Sequence, residues 1–160
     1  MDMADLSPGF LTRRVNEAGV ELIKQFEGLH LTPYFCAGRA WTIGWGHTRT
    51  VRSGMRITQE EAEFLLAEDL RIAANAVQRL VTVPLNENQF AALASFVFNV
   101  GTGNFQKSAM LTLLNKGWYD QVPAQLLRWD RAAGEKLGGL ARRRAAEARL
   151  WNTAPWTELI

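Results

Sequence analysis

Residues 29–57 interrupt a helical pattern of apolar residues that governs the chain on both sides of them. The segment contains Pro33 and several glycines, and its short β-prone stretches include Trp41-Thr42-Ile43. Punctuation of this kind by turn-forming residues is typical of a small antiparallel sheet. We therefore expect a β-rich lobe inside a chain that is otherwise helical.

Helical periodicity surrounds this segment. Apolar residues recur at helical spacing from about Val15 to Phe26, and Gly28 follows as a helix-ending glycine. The pattern returns at Thr58, whose spacing to Glu61 is that of a capping box, and it continues to about residue 80. Further helices are predicted from Asn86 onward and at about 107–116, 119–129 and 139–151.

This order of elements predicts an α+β fold. We expect residues 1–160 to form a single domain, in which a small N-terminal antiparallel β lobe (29–57) precedes a long connecting helix (58–80). A helical lobe (81–152) follows, and the strands are expected only in the early lobe. At 160 residues the chain is long enough to bury one sizeable core.

Composition narrows the function classes. Cys36 is the single cysteine, which excludes an intramolecular disulfide and a cysteine-rich zinc site, and the two histidines lack zinc-ligand spacing. The net charge is only +2, but the sequence pI of about 9.0 weakly favours a polyanionic target, and no nucleic-acid-binding motif or extended basic stripe is present. A fold without disulfides suits a reducing cytoplasm, and no signal peptide or membrane-spanning stretch is recognisable.

Glu27 is the first candidate for chemistry. It stands where the first predicted helix ends and the chain turns into the β lobe. The negative end of the helix dipole and nearby aromatic rings such as Phe26 disfavour the charged carboxylate, which suits a general acid. Taken alone, the residue would be read as a solvated surface glutamate.

The neighbours of Glu27 change that interpretation. Eight residues separate it from Cys36, five more lead to Thr42, and Ile-Gly-Trp-Gly-His-Thr follows. Residues 85–101 and 138–147 supply two later blocks, which read LNENQFAALASFVFNVG and GGLARRRAAE. Over roughly residues 15–152 this ordered set resembles the phage T4-type lysozymes (glycoside hydrolase family 24), whose motif is Glu-x8-Asp or Cys-x5-Thr. The chain resembles the variant with Cys at the usual Asp position.

The resemblance implies a lysozyme-like fold and a muramidase activity (EC 3.2.1.17). Such an endolysin hydrolyses the β-1,4 bond between N-acetylmuramic acid and N-acetylglucosamine in bacterial peptidoglycan and lyses the host cell. Glu27 would be its general acid, with no cofactor and no metal. The protein would act as a monomer without a separate wall-binding module. It would stay in the host cytoplasm until a holin releases it to the periplasm and cell wall.

Cys36 and Thr42 would complete the catalytic set. No Asp or Glu lies between Glu27 and Glu60, so the β lobe lacks the second carboxylate of an ordinary glycosidase. As a nucleophile, Cys36 would form a thioglycoside, which we expect to hydrolyse too slowly. We therefore favour Cys36 and Thr42 holding a water on the sugar face opposite Glu27, which gives inversion. A buried apolar cysteine and a β-prone threonine are the plain alternatives.

The resemblance also implies supporting residues. His47 is expected to be a structural histidine near the cleft, paired with Asp69 or Glu68. An arginine of the late segment is expected to reach the catalytic glutamate, and we place that contact at Arg142.

The segment 99–105 is open to two interpretations. Its glycines are either mere helix punctuation or part of the substrate cleft. In the second case the amides of Asn99 and Asn104 would bind sugar hydroxyls, and Phe105 would stack on a pyranose ring.

Two alternative functions remain at this stage. A lytic transglycosylase uses one glutamate without a water-orienting partner and leaves 1,6-anhydro ends. The basic segment 139–151 has an amphipathic composition suited to weak contact with an anionic membrane, although we favour its packing against the helical lobe.

Overall fold

The computed structural model describes residues 12–35, 40–132 and 134–160. Its elements confirm an α+β fold with an early β lobe and a helical remainder. In chain order they are α1 (Glu17–Glu27), β1 (His30–Phe35), β2 (Trp41–Gly44), α2 (Gln59–Leu80), α3 (Glu87–Val100), α4 (Thr102–Gln106), α5 (Ala109–Asn115), a 3₁₀ turn (Tyr119–Gln121), α6 (Val122–Leu127), β3 (Arg131–Ala132), β4 (Glu135–Lys136), α7 (Gly138–Trp151) and a 3₁₀ turn (Thr157–Leu159).

The β lobe is built on an antiparallel pair. Strand β1 pairs with β2 so that Phe35 lies opposite Trp41 and Tyr34 lies opposite Thr42. The chain then turns back on itself, and the backbones of Ile43 and His47 exchange two hydrogen bonds of 2.9 Å. This tight return brings the turn after β2 towards the end of α1.

Capping residues fix where the main helices begin. In α2 the Thr58 side chain accepts a hydrogen bond from the Glu61 backbone, and the Glu61 side chain accepts one from the Thr58 backbone, so the capping box is confirmed. Asn86 and Gln89 make the same reciprocal pair at the start of α3. Each box satisfies backbone donors that a helix leaves free in its first turn.

Helix α3 is the centre of the fold. Every residue from Phe90 to Val97 is buried, as expected for a helix that is apolar on all sides and enclosed by others. It packs against α1, α2 and α7. Helix α2 is 22 residues long and also contacts β2, so it joins the β lobe to the helical lobe.

The structure departs from the expected elements in the helical lobe. Strands β3 and β4 form a second antiparallel pair there, so the expectation of strands only in the early lobe was wrong. Each of these strands has two residues, which is too short for an alternating pattern to be visible in sequence. The helix expected at 119–129 is divided into a 3₁₀ turn and α6, whose first turn contains Pro123.

Across the described ranges, no helix is both long and apolar enough to cross a membrane.

Candidate active site

Glu27 occupies the last position of α1. Gly28 ends the helix with a φ of 70° and donates its backbone N–H to the Lys24 carbonyl, so the chain leaves the helix immediately beyond the carboxyl-bearing residue. The Glu27 side chain is 18% exposed. It is therefore largely enclosed by protein, but a substrate can reach it from solvent.

Gly46, from the turn after β2, lies directly against this carboxyl. A β-carbon at Gly46 would come within 2.6 Å of Glu27 Oε2, and the glycine has a φ of +81°. The glycine therefore leaves room for the Glu27 carboxyl that any other residue at this position would occupy.

Gly46→Ala should therefore reduce activity more than stability. The positive φ costs an alanine about 1–2 kcal/mol, and the added methyl group must also displace the Glu27 carboxyl. We expect a loss of kcat on the order of a hundredfold, because small displacements of a catalytic group are costly. The measurement is peptidoglycan hydrolysis alongside thermal unfolding.

Gly54→Ala is the matched control for that variant. Gly54 has a φ of +76°, and a β-carbon there would meet no atom within 4 Å. It should lose similar stability while keeping its activity. Equal activities of the two alanine variants would contradict a positioning role for Gly46.

Arg143 holds the other side of the carboxyl. Its Nη1 donates to Glu27 Oε1 at 2.7 Å, and its side chain is only 4% exposed. The prediction placed this contact at Arg142, and that register is wrong by one residue. Arg143 lies on the face of α7 that also buries Glu147 and Leu150, whereas Arg142 is exposed.

Arg143, Arg144 and Glu147 of α7 are buried together with Ser95 of α3, and we call these four residues the buried ionic cluster. Glu147 lies between the two arginines, with its Oε2 at 3.4 Å from Arg143 Nε and its Oε1 at 2.8 Å from Arg144 Nε. Burial lowers the pKa of the Arg144 guanidinium, and the charge of Glu147 opposes that shift.

The sequence analysis did not predict that Glu147 lies between Arg143 and Arg144. The available signal was its spacing, since glutamate three and four residues after two arginines places all three side chains on one helix face. What the spacing leaves open is whether that face is solvated or buried. Here it is buried, with Glu147 and Arg144 both at 0% exposure.

Thr42 is buried in β2, and Cys36 lies outside the described residues. The Thr42 hydroxyl donates to the Ala40 carbonyl at 3.0 Å. Its proton is therefore engaged, and the oxygen lone pairs are what it can offer to another donor.

His47 has the carboxylate partner that was expected. Its Nδ1 lies 2.7 Å from Asp69 Oδ2 on α2, and its Nε2 lies 2.6 Å from the Thr50 hydroxyl. Arg49 donates to the other Asp69 oxygen at 2.7 Å. Asp69, rather than Glu68, thus ties the turn after β2 to the connecting helix.

The structure places the three candidate sugar contacts in two different helices, with Asn99 near the end of α3 and Asn104 and Phe105 in α4. Asn99 is exposed and accepts a hydrogen bond from Arg144 Nη2 at 2.7 Å. Asn104 is exposed as well and donates to the Val100 carbonyl. Phe105 is 0% exposed, so the prediction that its ring stacks on a sugar was wrong. Part of the expected loop forms α4, which Phe105 anchors in the core.

Cavities lie on both sides of this arrangement. One of about 440 Å³ is bordered by Glu27, Asn99, Arg142 and Arg143. Another, of about 200 Å³, is bordered by Gly46 and Arg49 of the β lobe and by Phe98 and Thr102 of the helical lobe. The catalytic candidate therefore lies where the two lobes meet, with open space around it.

Comparison with known proteins identifies relatives of this chain. The phage lysozyme family model matches residues 24–147. An endolysin of Acyrthosiphon pisum secondary endosymbiont phage 1 is 40% identical over 88% of this chain and 99% of its own length. An endolysin of Salmonella phage P22 is 38% identical over 84% of this chain and 96% of its own length.

A solved structure provides a further similarity. The muramidase domain of SpmX from Asticaccaulis excentricus has 40% sequence identity and a TM-score of 0.79, and the match covers 87% of this chain and 97% of that domain. The matched family region runs from α1 into α7 and therefore includes both Glu27 and the arginine that contacts it. The chain belongs to the phage lysozyme family.

Proposed function

We propose that this chain is an endolysin that hydrolyses the β-1,4 bond between N-acetylmuramic acid and N-acetylglucosamine in peptidoglycan, with Glu27 as general acid. One observation carries the proposal: the Glu27 carboxyl is held between the Gly46 backbone and Arg143 where the two lobes meet. Membership of the phage lysozyme family supports peptidoglycan as the substrate.

The reaction follows from a single acid and a positioned water. Glu27 donates its proton to the glycosidic oxygen, and the bond from that oxygen to C1 of the muramic acid breaks. Water attacks C1 from the opposite face and releases a proton to solvent, which leaves an inverted reducing end. The Glu27 carboxylate then takes up a proton from solvent for the next cycle. Since Thr42 Oγ1 already donates to Ala40, it would accept a hydrogen bond from this water, with Cys36 as the second partner.

Digestion of purified sacculi tests the reaction class. The proposed hydrolase releases fragments with reducing N-acetylmuramic acid ends, which mass spectrometry of the products identifies. Products with 1,6-anhydro ends would overturn the proposal in favour of a lytic transglycosylase.

Two substitutions at Cys36 test the role of the thiol. Cys36→Ala should reduce kcat by about 10²–10⁴-fold, because it removes a partner of the attacking water. Cys36→Asp should keep substantial activity, since a carboxylate orients water as an inverting glycosidase requires. The measurement is kcat of each variant on purified sacculi. The anomeric configuration of fresh product and the intact mass of the enzyme during turnover are recorded with it.

The same measurements can contradict this mechanism. Retained configuration, or a covalent sugar adduct on Cys36, would show that the thiol is a nucleophile. Full activity of Cys36→Ala would remove the residue from the mechanism altogether.

A further inference from the structure

Glu147 is a charged residue that the proposed reaction does not use directly. It lies in the interior at 0% exposure, and so does Ser95 on α3. The Ser95 hydroxyl donates to Glu147 Oε2 at 2.5 Å. A buried carboxylate loses its hydration, which costs free energy unless the group is paired. Glu147 therefore differs from the solvated glutamates on helix surfaces, and its burial needs an explanation.

Arg143 links this carboxylate to the catalytic one. Its Nη1 donates to Glu27, its Nε faces Glu147 at 3.4 Å, and its Nη2 donates to the Ser95 carbonyl at 3.2 Å. The planar guanidinium presents its donors in a fixed geometry, so partners on its other edges determine where Nη1 points. Glu147 and Ser95 are those partners.

Stability alone does not account for this arrangement. Replacing a buried ion pair by apolar residues of similar volume is often neutral or stabilising, because desolvation offsets the attraction between the charges. Ser95 and Glu147 nevertheless stand behind the arginine that contacts the proposed acid. This placement favours a role in positioning the proposed acid over a role in core stability.

We infer that Glu147 is a positioning residue for Glu27: it fixes Arg143 in place and balances one of the two arginine charges behind the catalytic carboxyl. The inference rests on the proposed role of Glu27 as general acid. Glu147 itself does not contact the substrate.

Glu147→Gln is the direct test. We expect kcat to fall on the order of tenfold to a hundredfold with little change in KM, because the acid is displaced while the substrate contacts remain. Glu147→Asp restores the charge that faces Arg143 and should recover part of the lost kcat.

Alanine substitutions at two buried serines, Ser95 and Ser108, provide a matched comparison that leaves every charge in place. Ser95→Ala removes a contact of Glu147 and should lower kcat by less than Glu147→Gln does, because the charge that faces Arg143 remains. Ser108 is also buried, but its hydroxyl bonds the Phe105 carbonyl and caps α5. Ser108→Ala should therefore cost stability and leave kcat unchanged in the folded fraction.

A double variant separates this role from a structural one. If Glu147 acts through Arg143, adding Glu147→Gln to Arg143→Ala should cause no further loss of kcat. An unchanged kcat in Glu147→Gln, or independent losses in the double variant, would overturn the inference. Loss of activity in Glu27→Gln together with unchanged kinetics in Glu147→Gln would reject this inference alone, whereas full activity of Glu27→Gln would reject the proposed function itself.

Discussion

Glu27→Gln should lower the hydrolysis of purified sacculi by about 10²–10⁴-fold, the contribution typical of a positioned general acid. Glutamine preserves the size of the side chain and can still accept the hydrogen bond from Arg143 Nη1. What it lacks is a proton that can be transferred to the glycosidic oxygen. The fold should therefore remain intact, and the rate of reducing-end release is the quantity to measure.

Glu21→Gln is the matched control for this prediction. Glu21 lies on the same helix, is exposed, and accepts a hydrogen bond from Gln25. Its neutralisation changes the net charge by the same amount without touching the site. Full activity in both variants would contradict the assignment of Glu27 as the acid, whereas an equal loss in both would trace the effect to overall charge.

Phe105→Ala should be the most destabilising of these substitutions, with a loss of about 3–5 kcal/mol in the free energy of unfolding. The ring is 0% exposed and packs edge-on against Phe96 with their centroids 6.2 Å apart. Its removal leaves a cavity that the surrounding core cannot fully close. For a domain of this size the melting temperature should fall by roughly 10 °C.

Phe64→Ala offers the contrasting case. Phe64 is 65% exposed on α2, so its removal should change the free energy of unfolding by no more than about 0.5 kcal/mol. Thermal unfolding of the two variants and KM for peptidoglycan together distinguish core packing from sugar binding. An unchanged melting temperature with a raised KM in Phe105→Ala would restore the sugar-stacking role.

Local chemistry made much of the fold predictable. The capping pairs at Thr58 and Asn86 determine helix starts through contacts three residues apart, which a linear sequence displays directly. Gly28 ends α1 for a similarly local reason, since glycine readily adopts its φ of 70°. The second hairpin was not predictable, because pairing of such short strands depends on the surrounding packing.

Some features of the candidate site were likewise predictable from the sequence, and others were not. Spacing to Cys36 and Thr42 singled out Glu27, and the expected carboxylate partner of His47 is Asp69. Which arginine reaches Glu27 could not be predicted, because it depends on how α7 is rotated about its axis. A shift of one residue along this helix leads from the exposed Arg142 to the buried Arg143.

The sequence by itself thus determined the class of fold, the helix starts and the identity of the proposed acid, because these depend on local spacing and on a motif. Only the tertiary structure decided that Arg143 contacts Glu27, that Glu147 is buried behind it, and that Phe105 belongs to the core. The physical reason is that burial depends on which face of a helix its neighbours cover. That covering arises from packing among segments far apart in the chain.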